Sequence, residues 1–279
     1  MMALAKEVRE NNLLKSNGIF SFQPKVNLKL EISSYVLKTA DTAEELIESC
    51  KLRHEVFYRE FQQIDQTGLD VDQYDSHFDH LVIIHKATNK IVGTYRLSCS
   101  EFSKVSYTES EFDLTEIWKL NGPHLELGRA CIQKDHRRGA AVISLLWRGI
   151  IEYMNLSGAN ILFGCSSIKI NNVMDAAIVQ KYLSGQGYLM QQNLATPVGQ
   201  FKMNDFNEVY NELGDVLSPL NQAEAEKLIP SLLKAYLKFG AKIAGEPALD
   251  KDFDCVDFLT VMKKDEILES LGRRFQLVQ

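Results

Sequence analysis

Apolar residues at every second position (Val26, Leu28, Leu30, Ile32) predict an edge strand, preceded by a short amphipathic helix. Tyr35 to Lys38 predicts another strand. Asp41 or Thr42 then caps a helix with Glu44 and Glu45 in its first turn, running towards Phe61. Residues 65–77 are polar, with Gly68 among several aspartates, and predict an active-site or surface loop. The run HLVIIHKATNKIVGTYRLSC predicts a hairpin that turns at Thr88 and Asn89.

The stretch LELGRACIQKDHRRGAA, from Leu125, begins as a strand and passes through a glycine turn with flanking arginines. It opens onto an apolar helix from Val142 to Ile151. Ile161 to Ser166 is a buried type of strand, and a helix over Val173 to Leu183 ends at Gly185–Gly187. Residues 190–222 are weakly patterned and predict a connecting insertion. Pro230 fits the first position of a helix that Gly240 closes, and Phe258 to Met262 predicts a closing strand. Irregular alternation with one clear hairpin predicts an α+β fold, a mixed sheet covered by helices. The expected layout is an N-terminal extension over 1–35 and one domain over 36–279, with a late helix-strand segment at 223–265. There is no internal repeat.

Composition narrows the class. A chain of 279 residues, 45% hydrophobic and 24% charged, can bury a sizeable core as a soluble globular protein. A net charge of −6 offers no electrostatic case for nucleic acid, so any basic site is local. The five cysteines are widely spread without a CxxC pair, which predicts free thiols in a reducing compartment and no zinc ribbon. The N-terminus carries acids and asparagines where a signal peptide needs an apolar run. No segment approaches the roughly 18 apolar residues of a spanning helix. The expected location is cytoplasmic, with peripheral contact at the inner membrane left open. Asp250, Asp252 and Asp254 mimic the start of a calcium loop. Cys255 and Val261 stand where that loop needs Gly and Glu, so no metal site is expected.

A strand, a glycine turn and a helix N-terminus together form an anion cradle, because the first helical N–H groups lack partners. Glu126 and Arg129 lie beside it. The run His136-Arg137-Arg138-Gly139-Ala140-Ala141 resembles the pyrophosphate loop of the GCN5-related N-acetyltransferases (GNAT), with His136 where Gln or Arg is usual. Arg53 and Phe57, four apart on one helix face, precede Asp72, Asp75, Arg96, Glu126 and Arg129. That order resembles the acyl-homoserine-lactone synthases, which share the fold; the alternative for these charges is a structural ion-pair network. The segments LELGRACIQKDHRRGAAVISLLWRGI, ILFGCSSI and LLKAYLKFGAKIAGEPALDKDFDCVDFLTVM resemble the ornithine–acyl-[acyl carrier protein] N-acyltransferases, over roughly residues 40–265. Those proteins form lyso-ornithine lipid, are often catalogued as hemolysin-like, and have the long-chain N-acyl amino acid synthases as near kin.

The resemblance implies a GNAT-like mixed, splayed sheet flanked by helices, with the donor's pantetheine arm in the splay. It implies transfer of a long acyl chain from acyl carrier protein or CoA to the α-amine of an amino acid, ornithine foremost. The alternatives are a signal synthase acting on S-adenosylmethionine and a non-catalytic, acyl-binding hemolysin-like module. Glu126 would be the base, directly or through water, beside Arg129. Arg53, Phe57, Asp72, Asp75 and Arg96 would shape the acceptor pocket. Main-chain N–H groups around Cys131, with Arg137, Arg138, Gly139, Ala140 and Ala141, would hold the acyl-phosphopantetheine donor. No permanently bound cofactor is implied. Arg137, Arg138 and Lys134 offer either a docking patch for acyl carrier protein or a solvated face. Lys234 and Lys238 offer contact with anionic lipid or a solvated face. Cys131, Cys165 and Tyr182 are expected in core packing.

Overall fold

Thr42 starts the first long helix of the core. Its hydroxyl accepts from the Glu45 N–H at 3.2 Å, satisfying one of the helix's orphan donors. The computed structural model describes residues 2–64, 68–138 and 141–276. The elements run α1 (Met2–Ser16), β1 (Lys29–Ile32), β2 (Tyr35–Thr39), α2 (Ala43–His54), a π-helix (Glu55–Phe61), β3 (Asp79–His85) and β4 (Lys90–Cys99). Next come β5 (Phe112–Asp113), β6 (His124–Ile132), α3 (Ala141–Ser157), β7 (Ile161–Ile168) and α4 (Val173–Gly185). β8 (Thr196–Pro197), α5 (Phe206–Glu212), α6 (Pro219–Leu228) and α7 (Ser231–Lys238) follow. The chain closes with β9 (Lys242–Ile243), β10 (Ala248–Asp250), β11 (Cys255–Lys263) and α8 (Lys264–Gln276). Among the described residues, no helix is long and apolar enough to cross a membrane.

The chain divides into two compact units: residues 1–105 with 125–159, and residues 106–124 with 160–279. In the first, β1-β2-β3-β4-β6 form an antiparallel sheet in that order. Strand alternation sends Gly93, Tyr95 and Leu97 of β4 to one face, and Thr94, Arg96 and Ser98 to the other. Helix α3 covers the first face closely. A β-carbon at Gly149 would lie 2.7 Å from both Leu37 and Leu81, and one at Gly93 would lie 2.7 Å from Val142. Helix α2 covers the second face and thereby buries Arg53. Residues 1–28 belong to this unit: Leu14, Ile19 and Phe22 pack with Leu46, Cys50 and Val82. The buried Asp79 carboxylate pins them by accepting from the Lys25 N–H (2.9 Å), the Val26 N–H (3.0 Å) and the Tyr153 hydroxyl (2.9 Å).

Several elements differ from the sequence expectation for local reasons. The helix expected to run on to Phe61 is α-helical only to His54. It widens into a π-helix, with the Gln62 N–H reaching back to the Phe57 carbonyl at 3.2 Å. The weak pattern over 190–222 hides α5 and α6, whose faces are only slightly amphipathic; Ser218 and Pro219 still start α6 by ordinary capping. Pro230 is the cap of α7 rather than its first residue, a difference within the usual ambiguity of helix ends.

In the second unit, β7 and β10 flank β11 antiparallel, with β9 also paired to β11. Phe112, Ile117, Ile161, Phe163, Leu259 and Val261 are part of its core. A buried acid cluster interrupts the apolar packing. Glu111 is 1% exposed and accepts from the Cys165 thiol at 3.4 Å. Asp257 accepts from the Ser167 hydroxyl at 2.6 Å and shares a hydrogen bond with Glu111. Burial, reinforced by the charge of Asp257, pushes Glu111 up to about 8, and burial pushes Asp257 up to about 6.

Two carboxyls that resist ionisation destabilise the fold as pH rises. Between the ordinary value of 4.5 and about 8, folded Glu111 keeps a proton that the unfolded chain releases. Glu111→Gln should therefore raise the melting temperature by roughly 3–8 °C at pH 8.5 and by much less at pH 5. Thermal unfolding across that range checks this. An equal effect at both ends would remove the shifted carboxyl from the account.

Candidate active site

Arg53 lies on the last turn of α2 and is fully buried, so its charge must be met inside the protein. Its Nε donates to Asp70 Oδ2 at 2.6 Å and its Nη2 to the Asp70 carbonyl at 2.8 Å. Nη1 and Nη2 grip Asp75 at 2.7 and 3.1 Å. Arg96, projecting from β4 on the same sheet face, donates through Nη1 to both Asp72 oxygens at 2.7 Å and to Asp75 at 3.0 Å. Its guanidinium also lies over the rings of Tyr74 (5.5 Å) and Phe78 (5.3 Å). Arg129 closes the cluster at 3.4 Å from Asp70 and 3.5 Å from Asp72. Three arginines thus balance three aspartates.

The loop holding the aspartates folds for local reasons. Asp72 accepts from the Tyr74 N–H at 2.9 Å and Asp75 from the Asp72 N–H at 2.9 Å, turning the chain tightly. Burial alone would raise both Asp75 and Asp70. Arg53 and Arg96 instead hold Asp75 far below the usual carboxylate range, and Arg53 and Arg129 hold Asp70 below it. Arg53 itself is raised well above its ordinary value by the two aspartates, against the cost of burial.

Arg129 sits in a β-bulge. Register passes from Thr94 opposite Cys131 to Arg96 opposite Gly128, so Arg129 and Ala130 together face Tyr95. Arg129 has φ of 49°, an uncommon region for a residue with a side chain, and its ion-pairing to Asp70 and Asp72 holds it there. Glu126 precedes the bulge, is 3% exposed, and pairs with Ser98. Through that register it shares the sheet face of Arg96. A carboxylate, an arginine with long ion pairs at the edge of a charge-balanced cluster, and a bulged strand with main-chain groups released from pairing can serve amine deprotonation, carboxylate binding and carbonyl polarisation.

The acceptor-side residues expected from sequence therefore come together: Arg53, Asp72, Asp75, Arg96 and Arg129 form one network. Phe57 lies on the π-helix, half-buried, against Leu52, Val56 and Cys131. Cys131 is buried, and burial drives its thiol far up, so it stays protonated. On the donor side, Arg138 is exposed, Ala141 begins α3, and Gly139 and Ala140 lie outside the described residues. Arg137 is engaged elsewhere: its Nη1 donates to Glu60 at 2.7 Å. In the second unit, Asp250, Cys255 and Asp257 bring ligand atoms within 4.8 Å of one another. Burial keeps the Cys255 thiol protonated, and main-chain N–H groups occupy Asp250, so the set does not suit a cation.

Two members were missed. In sequence Asp70 is one more aspartate of a polar loop, outside the Asp72–Asp75 spacing that marks the candidate pair. His80 looked like a strand residue. It is fully buried, and its Nε2 donates to the Asp75 carbonyl at 2.9 Å. Its Nδ1 has no hydrogen-bond partner among the described residues. Burial, opposed by Asp75, brings its value down to about 4, so the ring is neutral at pH 7 and buttresses the loop without adding charge.

This histidine sets an acid limit. Between 6.5 and about 4 the unfolded chain takes up a proton that folded His80 refuses, so stability falls as pH falls, by roughly 3 kcal/mol over the window. His80→Gln can still donate to the carbonyl but cannot titrate. Urea unfolding from pH 7 to 4.5 should show a shallower loss in the variant; parallel slopes would exclude His80 as the cause.

A family described as "Acetyltransferase (GNAT) domain" matches residues 52–148. The chain is 30% identical over 251 residues to the L-ornithine N(alpha)-acyltransferase of Rhodobacter capsulatus, covering 85% of this chain and 92% of that protein. It is 26% identical to the protein of that name from Brucella abortus, over 85% of this chain and 86% of the relative. Among solved structures it is similar to a CoA-dependent acyl-homoserine lactone synthase, BjaI, with SAM and isopentyl-CoA. That likeness has 14% identity, 82% coverage of each chain and a TM-score of 0.46. By its similarity along most of both sequences, the chain, which carries a GNAT acetyltransferase domain, belongs to the L-ornithine Nα-acyltransferase family.

Proposed function

We propose that this enzyme transfers a long acyl group from a phosphopantetheine thioester to the α-amine of ornithine, forming lyso-ornithine lipid. One observation carries the reading: a charge-balanced Arg–Asp cluster shares a sheet face with Glu126, in a chain 30% identical to an L-ornithine N(alpha)-acyltransferase. Arg129, whose ion pairs at 3.4 and 3.5 Å are the longest in the cluster, would turn to the acceptor carboxylate. Glu126, directly or through a water, takes a proton from the α-ammonium. The freed amine attacks the thioester carbonyl, and charge develops on its oxygen beside the main-chain N–H groups of the bulge. Collapse breaks the C–S bond, and the departing thiolate takes the second amine proton. No cysteine nucleophile is required.

The donor proposed is acyl carrier protein, with CoA as the alternative thioester carrier. Lys134 and Arg138 are exposed and form no ion pair among the described residues, which suits an acidic carrier. The reading puts the reaction in the cytoplasm, with the amphiphilic product leaving at the inner-membrane surface.

Purified protein with palmitoyl-acyl carrier protein and a panel of amino acids should yield N-palmitoyl-ornithine as the dominant product by mass spectrometry. Acylation of S-adenosylmethionine, or of no amine, would overturn the assignment. Glu126→Gln should lower kcat by about 10²- to 10⁴-fold, with the donor KM little changed. A loss confined to the acceptor KM would make Glu126 a binding group instead.

A further inference from the structure

The turn that leads from β6 into α3 carries three cations, Lys134, Arg137 and Arg138, and they do not have the same surroundings. Arg137 is bound on three sides. Its Nε donates to the Ile132 carbonyl at the end of β6 at 2.8 Å. Its Nη1 and Nη2 make a bidentate pair with Glu60 of the π-helix at 2.7 and 3.1 Å. The pair is only partly exposed, 36% for Arg137 and 22% for Glu60. On its other flank the same turn is held by His136, whose Nδ1 shares a 3.2 Å hydrogen bond with the Tyr35 hydroxyl of β2. The His136 ring also packs against His85 of β3, centroids 5.1 Å apart.

We infer that Glu60 and Arg137 are a positioning pair that fixes the donor-binding turn to the π-helix, leaving Arg138 and Lys134 to meet the donor's phosphate charge. This rests on the acyl-phosphopantetheine reading of the site. For Arg137 to bind phosphate, its fork would have to leave Glu60. That carboxylate would then stand unpaired beside an incoming phosphate anion, a like-charge contact that opposes binding. A phosphate ligand and a bidentate carboxylate partner compete for the same edge of the guanidinium. The π-helix supplies the reach: its widened turn presents Glu60 to the turn while Phe57 stays against Cys131. Donor-side order thus depends on the π-helix that continues directly from α2, the helix bearing Arg53, through a residue that no phosphate motif contains.

The two roles predict opposite signs for one substitution. In the positioning role, Glu60→Gln and Arg137→Gln each raise the donor KM by roughly three- to tenfold, with kcat and the ornithine KM nearly unchanged. The double variant is then no worse than either single, because both remove one interaction. Arg138→Gln adds to any of them. In the opposing role, Glu60→Gln releases Arg137 for phosphate and lowers the donor KM while Arg137→Gln raises it; that pattern overturns the inference. Hydrogen exchange of the segment 130–138 provides a readout without turnover. Both single variants should accelerate it equally, and unchanged exchange in Glu60→Gln would also overturn the pair. If the wild-type protein acylates no amine, the proposed function fails. The pair is then judged by exchange and by equilibrium binding of palmitoyl-CoA.

Discussion

The guanidinium of Arg53 has no access to water, and much of the first unit is arranged to satisfy it. Removing such a charge from solvent costs several kcal/mol, recovered only with partners in good geometry. Asp70 and Asp75 supply them from one short loop, so the loop's path is dictated by the need to bring two carboxylates to one arginine. Those carboxylates in turn require Arg96 and Arg129, which ties β4 and β6 into the same network. Each member pairs with two others, so deleting one strips two neighbours of part of their compensation, which is why the cluster holds its shape before any substrate arrives.

Rigidity there suits the proposed chemistry, which needs fixed dipoles. The bulge at Arg129 and Ala130 takes main-chain groups out of the β4–β6 ladder, and the ion pairs of Arg129 keep its strained backbone in place. The same side chain therefore stabilises an unusual strand geometry and presents a cation. The π-helix is a second departure from regular structure, next to Arg53. It carries Phe57 toward the core and Glu60 toward the turn before α3. Two irregular elements border one ion-pair network, consistent with the tendency of strain to collect where function lies.

Charge alone is a poor guide to the role of each residue. Arg137 and Arg138 are neighbours of identical type, yet one is engaged by Glu60 and a carbonyl while the other forms no ion pair among the described residues. Asp70 and Asp257 are both buried aspartates. The first is held below its ordinary value by Arg53 and Arg129, and the second is raised by burial beside Glu111. Surroundings decide which acid is an anion and which retains its proton.

Most of the secondary structure was legible from local pattern: the hairpin around Asn89, the cap at Thr42, the strand before α3 and the buried β7 all follow from alternation and turn chemistry. The ordered set from Arg53 to Arg129 was legible as a candidate site because residue types and their order survive in one dimension. The π-helix was not, since one widened turn is too short to change the pattern of a helix that continues from α2. Helices α5 and α6 escaped because short helices with weak faces leave little pattern. Asp70, His80 and Glu60 gain their roles from partners that are 17, 5 and 77 residues away. By itself, then, the sequence determined most elements of the first unit, the family and the inventory of charges. Only the tertiary structure decided which charges neutralise one another, because burial and pairing arise when distant segments share one low-dielectric space.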